Sequence, residues 1–367
     1  MLAILLPIIG FQQIAYDFAF ARAVPRVWNG EPRPPLSANV LTNLQSNIDM
    51  LASVLREKGA DMGKRPELNA WAVAQIWLAL DELDPEVANG GQRLRAFMSS
   101  TRDQVCQCWR ETEDKLPHSL ATAWVLYALA RYGQPATSEE IEDVLKRQGE
   151  TGWWAMLRSR PDEANASTSA TAWTVLALHH QLEKNLIAAE QRDAVKQAIE
   201  RSVRWLTRRA VVGAARWTEY PPDQTFERTI DYLAASALVI HTLHVVAGAR
   251  DFDNLWLDRL PQRVPGPIEN EVAKGYVFLD NGQFTLDDVR HYPFPWMLRA
   301  TVEAYQSGTT AQRARALLWL EDAFKSPMRQ EDFHSEFWTM AETLFALRQV
   351  QGRLERRADE PTAALKQ

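Results

Sequence analysis

Apolar residues recur along most of this chain in two alternating patterns. Six segments rich in Ala and Trp, such as residues 68–83, are apolar nearly all round, and each begins just after a short polar turn. The segments between them carry apolar residues on one face only, as in the helix that begins at Ser37. A helix that is apolar all round is covered on every side, whereas a one-faced helix lies on the outside of a packed layer. The six openings lie at residues 65–71, 117–124, 166–173, 229–235, 291–296 and 332–338.

This repetition predicts the architecture. Units that repeat every few tens of residues stack on one another and bury a shared core. The pattern therefore predicts an all-α (α/α)6 toroid over residues 36–352, with the N-termini of six inner helices around the mouth of one central cavity. Residues 276–284 are expected to form a small hairpin in the fifth unit. We further predict an extra apolar helix and a proline-rich linker at residues 1–35, and a charged, flexible tail at residues 353–367.

The charge of the chain argues against a nucleic-acid partner. The formal net charge is −6, and the 41 Lys and Arg residues are scattered rather than clustered. Residues 1–11 are uncharged and apolar, but this run is shorter than the ~20 residues that span a bilayer. Two interpretations of the segment stay open: a helix packed on the toroid, or a shallow anchor that makes peripheral membrane contact through residues 1–20.

The two cysteines indicate a cellular compartment. Cys106 and Cys108 are separated by a single residue, which is too close for an unstrained disulfide within a helix. They also lack the second pair of ligands that a structural zinc site needs. A reducing cytoplasm is the simplest location, and membrane association follows only if residues 1–20 form an anchor.

One recurring sequence motif resembles a repeat of known protein families. Residues 144–154 place Gln148 at the end of an outer helix, shortly before Gly152 and Trp154, and looser versions precede other inner helices. This phrase resembles the Gln-Trp repeat of squalene cyclases and other terpenoid cyclases, and the related repeats of protein prenyltransferase β-subunits. The resemblance implies an (α/α)6 toroid. In such a repeat Trp154 would fill the seam between two units, and Gln148 would bond the exposed N-terminus of the next helix.

The same resemblance directs attention to acids at the mouth of the ring. Class II terpenoid cyclases use an Asp-x-Asp-Asp acid, and this sequence lacks that motif. Asp288 belongs to the pair of aspartates that comes nearest to it, while Asp231 and His118 lie at the starts of inner helices. These three residues are the candidate catalytic groups. Acids at such positions also complement the positive ends of helices, which is the alternative explanation for them.

A metal site is a second candidate at the mouth. Asp332, His334 and the Phe-Trp that follows resemble the Asp-x-Cys-x-x-Phe-Trp element of the prenyltransferases, with His in place of Cys. Asp288 and His291 resemble their Asp-x-x-His element, although the order of the two elements is reversed. The resemblance implies that Asp332, His334 and His291 hold Zn²⁺ or another divalent metal. Alternatively, Asp332 is only an N-cap and His334 is an exposed residue of the first turn.

These observations leave two functions open. The first is a terpenoid-cyclase-like or prenyltransferase-like enzyme that binds an isoprenoid or other apolar ligand in the central cavity and acts by metal or acid chemistry. The second is a non-catalytic toroid that serves as a protein-binding subunit of a larger assembly. A toroid that processes carbohydrates is compatible with the sequence but is not singled out by it. The candidate ligand-binding residues are the aromatic residues Trp124, Trp154, Trp173, Tyr232, Tyr292, Trp296 and Trp338.

Overall fold

Within the residues that it describes, the computed structural model contains twelve α-helices, which alternate between two concentric layers. It describes residues 36–62, 70–81, 90–103, 105–110, 117–157, 162–210, 215–221, 233–249, 251–261, 263–279, 281–334 and 337–355. The inner helices are α2 (Ala70–Asp81), α4 (Ser119–Arg131), α6 (Thr168–Glu183), α8 (Leu233–Ala247), α10 (Pro293–Ser307) and α12 (Phe337–Glu355). The outer helices are α1 (Ala38–Met62), α3 (Gly90–Thr101), α5 (Ser138–Lys146), α7 (Arg192–Arg209), α9 (Asp253–Arg259) and α11 (Thr310–Ala323).

The inner helices form a closed ring. Each packs against the next in chain order, and α12 returns to pack against α2. The outer helices lie against this ring; α1, for example, contacts both α2 and α12 and so covers the closure. The predicted all-α (α/α)6 toroid is therefore confirmed. The apolar pattern explains the two layers, because α6 is buried along most of its length whereas α7 buries only one face.

A repeated pair of hydrogen bonds joins the units. The backbone N–H of Trp154 donates to Thr171 Oγ1 on α6 at 2.9 Å, and its indole Nε1 donates to the carbonyl of Val144 on α5 at 2.8 Å. Each tryptophan of this kind thereby ties the end of an outer helix to the first turn of the next inner helix. The same two bonds recur for Trp109 with Thr122 (3.1 Å) and Met98 (2.8 Å), and for Trp217 with Ser236 (3.0 Å) and Leu206 (2.8 Å).

Gln148 contacts a different part of the next outer helix than the sequence predicted. Its Nε2 donates to the carbonyl of Ala198 at 2.8 Å and to Ser202 Oγ at 2.9 Å, and its Oε1 accepts from Arg201 Nε at 3.1 Å. These partners lie in the middle of α7, so the expected bond to a helix N-terminus is wrong. The reason is that the end of α5 lies alongside α7 rather than at its start. Gln148 nevertheless joins two neighbouring units, as the resemblance implied.

An antiparallel hairpin interrupts the helical pattern before α10. Strands β3 (Glu271–Phe278) and β4 (Phe284–His291) pair along their full length, from Glu271 opposite His291 to Phe278 opposite Phe284. The predicted hairpin is confirmed, but it is longer than the expected 276–284. Val277 and Val289 pack with Tyr220 in a small apolar cluster, which fixes the hairpin against the ring. Two further strands, β1 (Trp154–Ala155) and β2 (Ala166–Ser167), form a two-residue ladder beside α6.

Cys106 and Cys108 form a disulfide, contrary to the sequence-based expectation. They lie in a turn after α3 rather than in a helix, and Gln107 between them adopts a positive φ of 52°. This turn brings the two Cα atoms to 5.1 Å, within the usual range for a disulfide. The argument from spacing applied to a helix, and the turn removes that restriction.

The predicted ends of the chain are only partly described. Helix α12 continues to Glu355, three residues beyond the predicted end of the toroid. The predicted N-terminal helix and linker at residues 1–35, and the tail from residue 356, lie outside the described residues. Within the described parts of the chain, no helix combines the length and apolarity needed to cross a membrane.

Candidate functional site

The N-terminal halves of all six inner helices surround one cavity of about 760 Å³, which we call the mouth cavity. The hairpin contributes Thr285, Leu286, Val289 and Arg290 to its lining. Pairs of residues one helical turn apart face the cavity from the inner helices, as Trp338 and Glu342 do on α12. The closed ring thus gathers the six helix openings around one chamber. The other pairs at this spacing are Trp71 and Gln75, Leu120 and Trp124, Ser169 and Trp173, Ala234 and Leu238, and Tyr292 and Trp296.

An aromatic layer closes the inner end of the mouth cavity. It consists of Trp124, Trp173, Trp296 and Phe345. The ring centroids of Trp124 and Trp173 are 3.7 Å apart, and Trp173 meets Trp296 edge-on at 4.7 Å. Phe345 contacts Trp124 at 6.5 Å between centroids. The electron-rich ring faces of such a layer attract positive charge, including that of a carbocation.

Five of the seven aromatic residues proposed to bind a ligand line this cavity: Trp124, Trp173, Tyr292, Trp296 and Trp338. Ligand binding by them stays a prediction. Trp154 does not line it, because its indole is buried in the seam between α5 and α6. Tyr232 lies outside the described residues. Trp71 also lines the cavity, and its centroid is 6.4 Å from that of Trp338.

Glu342 is an acid that sequence reasoning missed. Its side chain lines the mouth cavity from α12 and is only 8% exposed. The indole Nε1 of Trp296 donates to Glu342 Oε1 at 2.7 Å. Burial raises the pKa of Glu342, although the nearby Arg299 guanidinium, the Trp296 bond and His291 act in the opposite direction. The signal in the sequence is a lone carboxylate four residues after Trp338, on the same helix face.

A buried ion pair lies at the rim of the same cavity. His291 Nε2 donates to Glu219 Oε2 at 3.0 Å, and Ser169 Oγ donates to Glu219 Oε1 at 2.9 Å. Ser167 Oγ also donates to Oε1. Burial alone would lower the pKa of His291, but the bond and the charge of Glu219 raise it. Burial opposes ionisation of Glu219, and its bonds with His291 and the two serines lower its pKa. The site therefore favours an imidazolium beside a carboxylate.

The proposed catalytic residues lie in different places. His118 lines the mouth cavity as the N-cap of α4, where its Nδ1 accepts from the backbone N–H of Ala121 at 3.4 Å. Asp288 occupies a register position on β4 opposite Lys274. Asp231 lies outside the described residues. Catalysis by these three residues stays a prediction.

The three proposed metal ligands are not brought together. His291 is paired with Glu219 at the cavity rim. Asp332 instead accepts the backbone N–H of Arg329 at 2.8 Å within a short 3₁₀ turn, and His334 is exposed with a left-handed φ of 45°. Among the described residues, no group of three His, Cys, Asp or Glu side chains is arranged to hold a metal ion. The residues therefore do not fit the zinc site that the prenyltransferase resemblance implied, and a metal here stays an unsupported prediction.

The solved structures that this chain resembles include a type II terpene cyclase. The type II terpene cyclase MstE from Scytonema, as a variant in complex with its substrate geranylgeranyl dihydroxybenzoate, is 13% identical to this chain. The match covers 86% of this chain and 99% of that chain, with a TM-score of 0.53. A variant of the same enzyme with its product merosterolic acid A is 14% identical over 86% and 99% of the two chains, with a TM-score of 0.54. No protein-family model and no curated protein matches the sequence. At this identity the likeness shows the fold, a terpenoid-cyclase-like (α/α)6 toroid.

Proposed function

We propose that this protein binds an isoprenoid or a similarly apolar alkene in the mouth cavity and cyclises it by proton transfer from Glu342. The observation that carries the proposal is the position of Glu342, a buried carboxyl group on the wall of an aromatic cavity. Burial raises the pKa of Glu342, and a buried carboxyl group with a raised pKa can act as a general acid. The solved enzyme of the same fold acts on a geranylgeranyl compound, which supports this substrate class.

The reaction is balanced without a metal or cofactor. The proton of Glu342 adds to one carbon of an alkene, and the electron pair of that double bond forms the new C–H bond. A neighbouring double bond then attacks the resulting cation and closes a ring. Loss of a proton to a base or to solvent ends the sequence, so the product is an isomer of the substrate.

Several residues would assist this reaction. The faces of Trp124, Trp173 and Trp296 would stabilise the cation. Trp296 would hold Glu342 in place through its indole hydrogen bond. The apolar walls would exclude water, which would otherwise capture the cation and end the cyclisation early.

The test uses geranylgeranyl dihydroxybenzoate and geranylgeraniol as probes. Incubation with the wild-type protein should yield an isomer of unchanged mass, and the same incubation in D₂O should incorporate deuterium from the exchanged acid. Glu342→Gln keeps the shape and the acceptor for Trp296 but cannot give up a proton, so it should bind the probes and form no product. Glu200→Gln, at an exposed position on α7 that does not line the cavity, is the matched control and should keep the activity.

Two results would contradict the proposal: product formation by Glu342→Gln at the wild-type rate, or no binding of either probe to the wild-type protein. Absence of binding would favour the alternative, a toroid that acts as a protein-binding subunit. The exposed Phe284 and Leu286 on the hairpin are the observation in favour of that alternative. Phe284→Ser, at an exposed position that does not line the mouth cavity, would then weaken an assembly and leave the cavity lining unchanged.

A further inference from the structure

A second cavity lies at the opposite end of the ring. It has a volume of about 880 Å³ and is lined by the C-terminal portions of α4, α6, α8, α10 and α12; we call it the polar cavity. Among the described residues it shares no lining residue with the mouth cavity. The aromatic layer separates the two, since Trp124 faces the mouth cavity while Tyr127, one turn further along α4, faces the polar cavity.

The lining of the polar cavity has an excess of positive charge. Five basic side chains face only two acidic ones, Glu183 and Glu303, in a chain whose overall charge is −6. An enclosed space with one sign of charge and low-dielectric walls concentrates ions of the opposite sign. The basic residues are Arg131, Lys184, Arg299, Arg348 and Arg353.

Helix dipoles do not account for all of this charge. Cations in the last turn of a helix offset its negative end, which explains Arg131 at the end of α4 and Arg353 near the end of α12. Arg299, however, lies in the middle of α10 and is only 3% exposed. Its guanidinium lies 4.2 Å from the Trp296 ring centroid and 4.6 Å from that of Phe345. These two rings hold a buried cation in a fixed position at the base of the cavity.

A buried imidazole at the cavity has a nitrogen without a hydrogen-bond partner among the described residues. His241 on α8 is 8% exposed, and its Nδ1 has no hydrogen-bond partner among the described residues. Burial, together with the charge of Arg299, lowers the pKa of His241 to about 3, so the ring is neutral near pH 7. A neutral imidazole can donate a hydrogen bond from one nitrogen. A buried polar atom left without a partner is costly, and a bound ligand atom would satisfy it.

Part of the wall is already fixed by ion pairs. Glu303 on α10 accepts from Arg353 at 2.7 Å through Oε1, and its Oε2 lies 3.1 Å from His244 Nε2. This carboxylate links α8, α10 and α12. Burial opposes ionisation of Glu303, but His244 and the nearby positive charges outweigh it and lower the pKa of Glu303. Arg348 and Arg131 stand on other parts of the wall, on α12 and α4. The wall of the cavity is therefore held in place by ion pairs, and its basic groups come from several helices.

We propose that the polar cavity binds a small molecule that carries a phosphate or diphosphate group. A planar guanidinium group can donate two parallel hydrogen bonds to two oxygens of one phosphate group. Five basic and two acidic side chains leave an excess of three positive charges, which suits an anion with more than one negative charge. The neutral His241 adds a donor beside the buried guanidinium of Arg299. The proposal is independent of the reaction assigned to the mouth cavity.

Calorimetric titration with inorganic pyrophosphate tests this site. The ionic strength is held at about 0.15 M, so that non-specific attraction between exposed charges and the anion is screened. The wild-type protein should bind with a saturable isotherm. Arg131→Gln together with Arg348→Gln should weaken binding by about ten-fold or more, because each substitution removes a charged donor. Lys196→Gln together with Arg204→Gln removes the same charge from exposed positions on α7 and should leave Kd unchanged.

Three results would overturn the proposal. They are no saturable binding of pyrophosphate to the wild-type protein, an equal loss in both double variants, and tighter binding of citrate, which would assign the site to carboxylates instead. Arg131→Gln alone, at a half-buried position, serves if the double variant does not fold. It should still weaken pyrophosphate binding, and an unchanged Kd would also count against the site.

Discussion

Trp296 and Glu342 are joined by a hydrogen bond of 2.7 Å from the indole Nε1 to the carboxyl Oε1. The two residues stand on neighbouring inner helices, α10 and α12, and both line the mouth cavity. This bond holds a buried carboxyl group in one position against an aromatic wall. It is also one of the few influences that favour the ionised form of Glu342 against its burial.

Replacement of Trp296 by phenylalanine should therefore raise the pKa of Glu342 further. The aromatic wall is kept, but the donor that stabilises the carboxylate is lost. Infrared difference spectra between Trp296→Phe and Trp296→Phe with Glu342→Gln would follow the C=O stretch of the protonated acid across pH. The titration midpoint should lie higher than in the matching pair with Trp296 intact. A midpoint that stays the same or falls would show that the indole does not govern this carboxyl group.

The ion pair of Glu219 and His291 should make stability depend on pH. The raised pKa of His291 contributes stability that is present below about pH 6.5, its unfolded value, and is lost as pH rises through the folded pKa. The lowered pKa of Glu219 contributes stability that is present above about pH 4.3 and is lost as pH falls through the folded pKa. His291→Gln should thus cost most between these two values, roughly 3 kcal/mol for a buried pair.

Denaturation of wild type and His291→Gln by urea, followed by circular dichroism from mildly acidic to alkaline pH, measures this difference. Arg263→Gln removes one partner of an exposed ion pair with Glu269 and is the control. Its small effect should not vary in the same window, because exposed pairs contribute little. A difference for His291→Gln that is constant across pH would mean that the pair is not ionised.

Gly152 should tolerate alanine much less well than Gly133. Both have positive φ, 113° and 70°, but a Cβ on Gly152 would lie 2.5 Å from the backbone carbonyl carbon of Arg201, whereas Gly133 has open space around it. Gly133→Ala should cost about 1–2 kcal/mol from its left-handed backbone alone. Gly152→Ala adds a clash with α7 and should cost at least about 4 kcal/mol. Equal losses in thermal or chemical denaturation would show that the seam between these units can shift.

Thr171 should prove important for the same seam. Its hydroxyl accepts the backbone N–H of Trp154, and Thr171→Val would leave that buried donor without a partner. We expect a loss of about 1–3 kcal/mol in the free energy of unfolding. Thr207→Val on the exposed face of α7 removes a hydroxyl that bonds only within its own helix and should change stability by less than about 0.5 kcal/mol. Similar values for the two variants would argue against a structural role for the repeated tryptophan bonds.

Several local features followed from the sequence because they depend on neighbouring residues. The difference between α6 and α7 in apolar coverage was visible in the order of residues, since helical periodicity decides which faces can be buried. The hairpin was predicted over residues 276–284, and its turn contains Gly282 with a φ of 83°. The two strands are longer than expected, since their pairing extends from Glu271 opposite His291 to Phe278 opposite Phe284.

The site was harder to predict because its groups come from distant parts of the chain. Glu219 and His291 are 72 residues apart, and nothing in either local sequence indicates the pairing. His334 matched a metal-binding motif, yet it is exposed at the end of a 3₁₀ turn and does not line the mouth cavity. The spacing of Cys106 and Cys108 argued against a disulfide within a helix, but the two residues lie in a turn in which Gln107 has a positive φ.

The sequence by itself determined that this protein is a ring of alternating inner and outer helices, because burial of repeated apolar faces leaves few other arrangements. Tertiary structure alone decided which polar groups meet inside that ring. The rotation of each helix sets whether a side chain such as Glu342 faces the mouth cavity, and the packing of five helices sets the cluster of basic groups at the opposite end. These are contacts between residues far apart in the chain, and their geometry is fixed only when the ring closes.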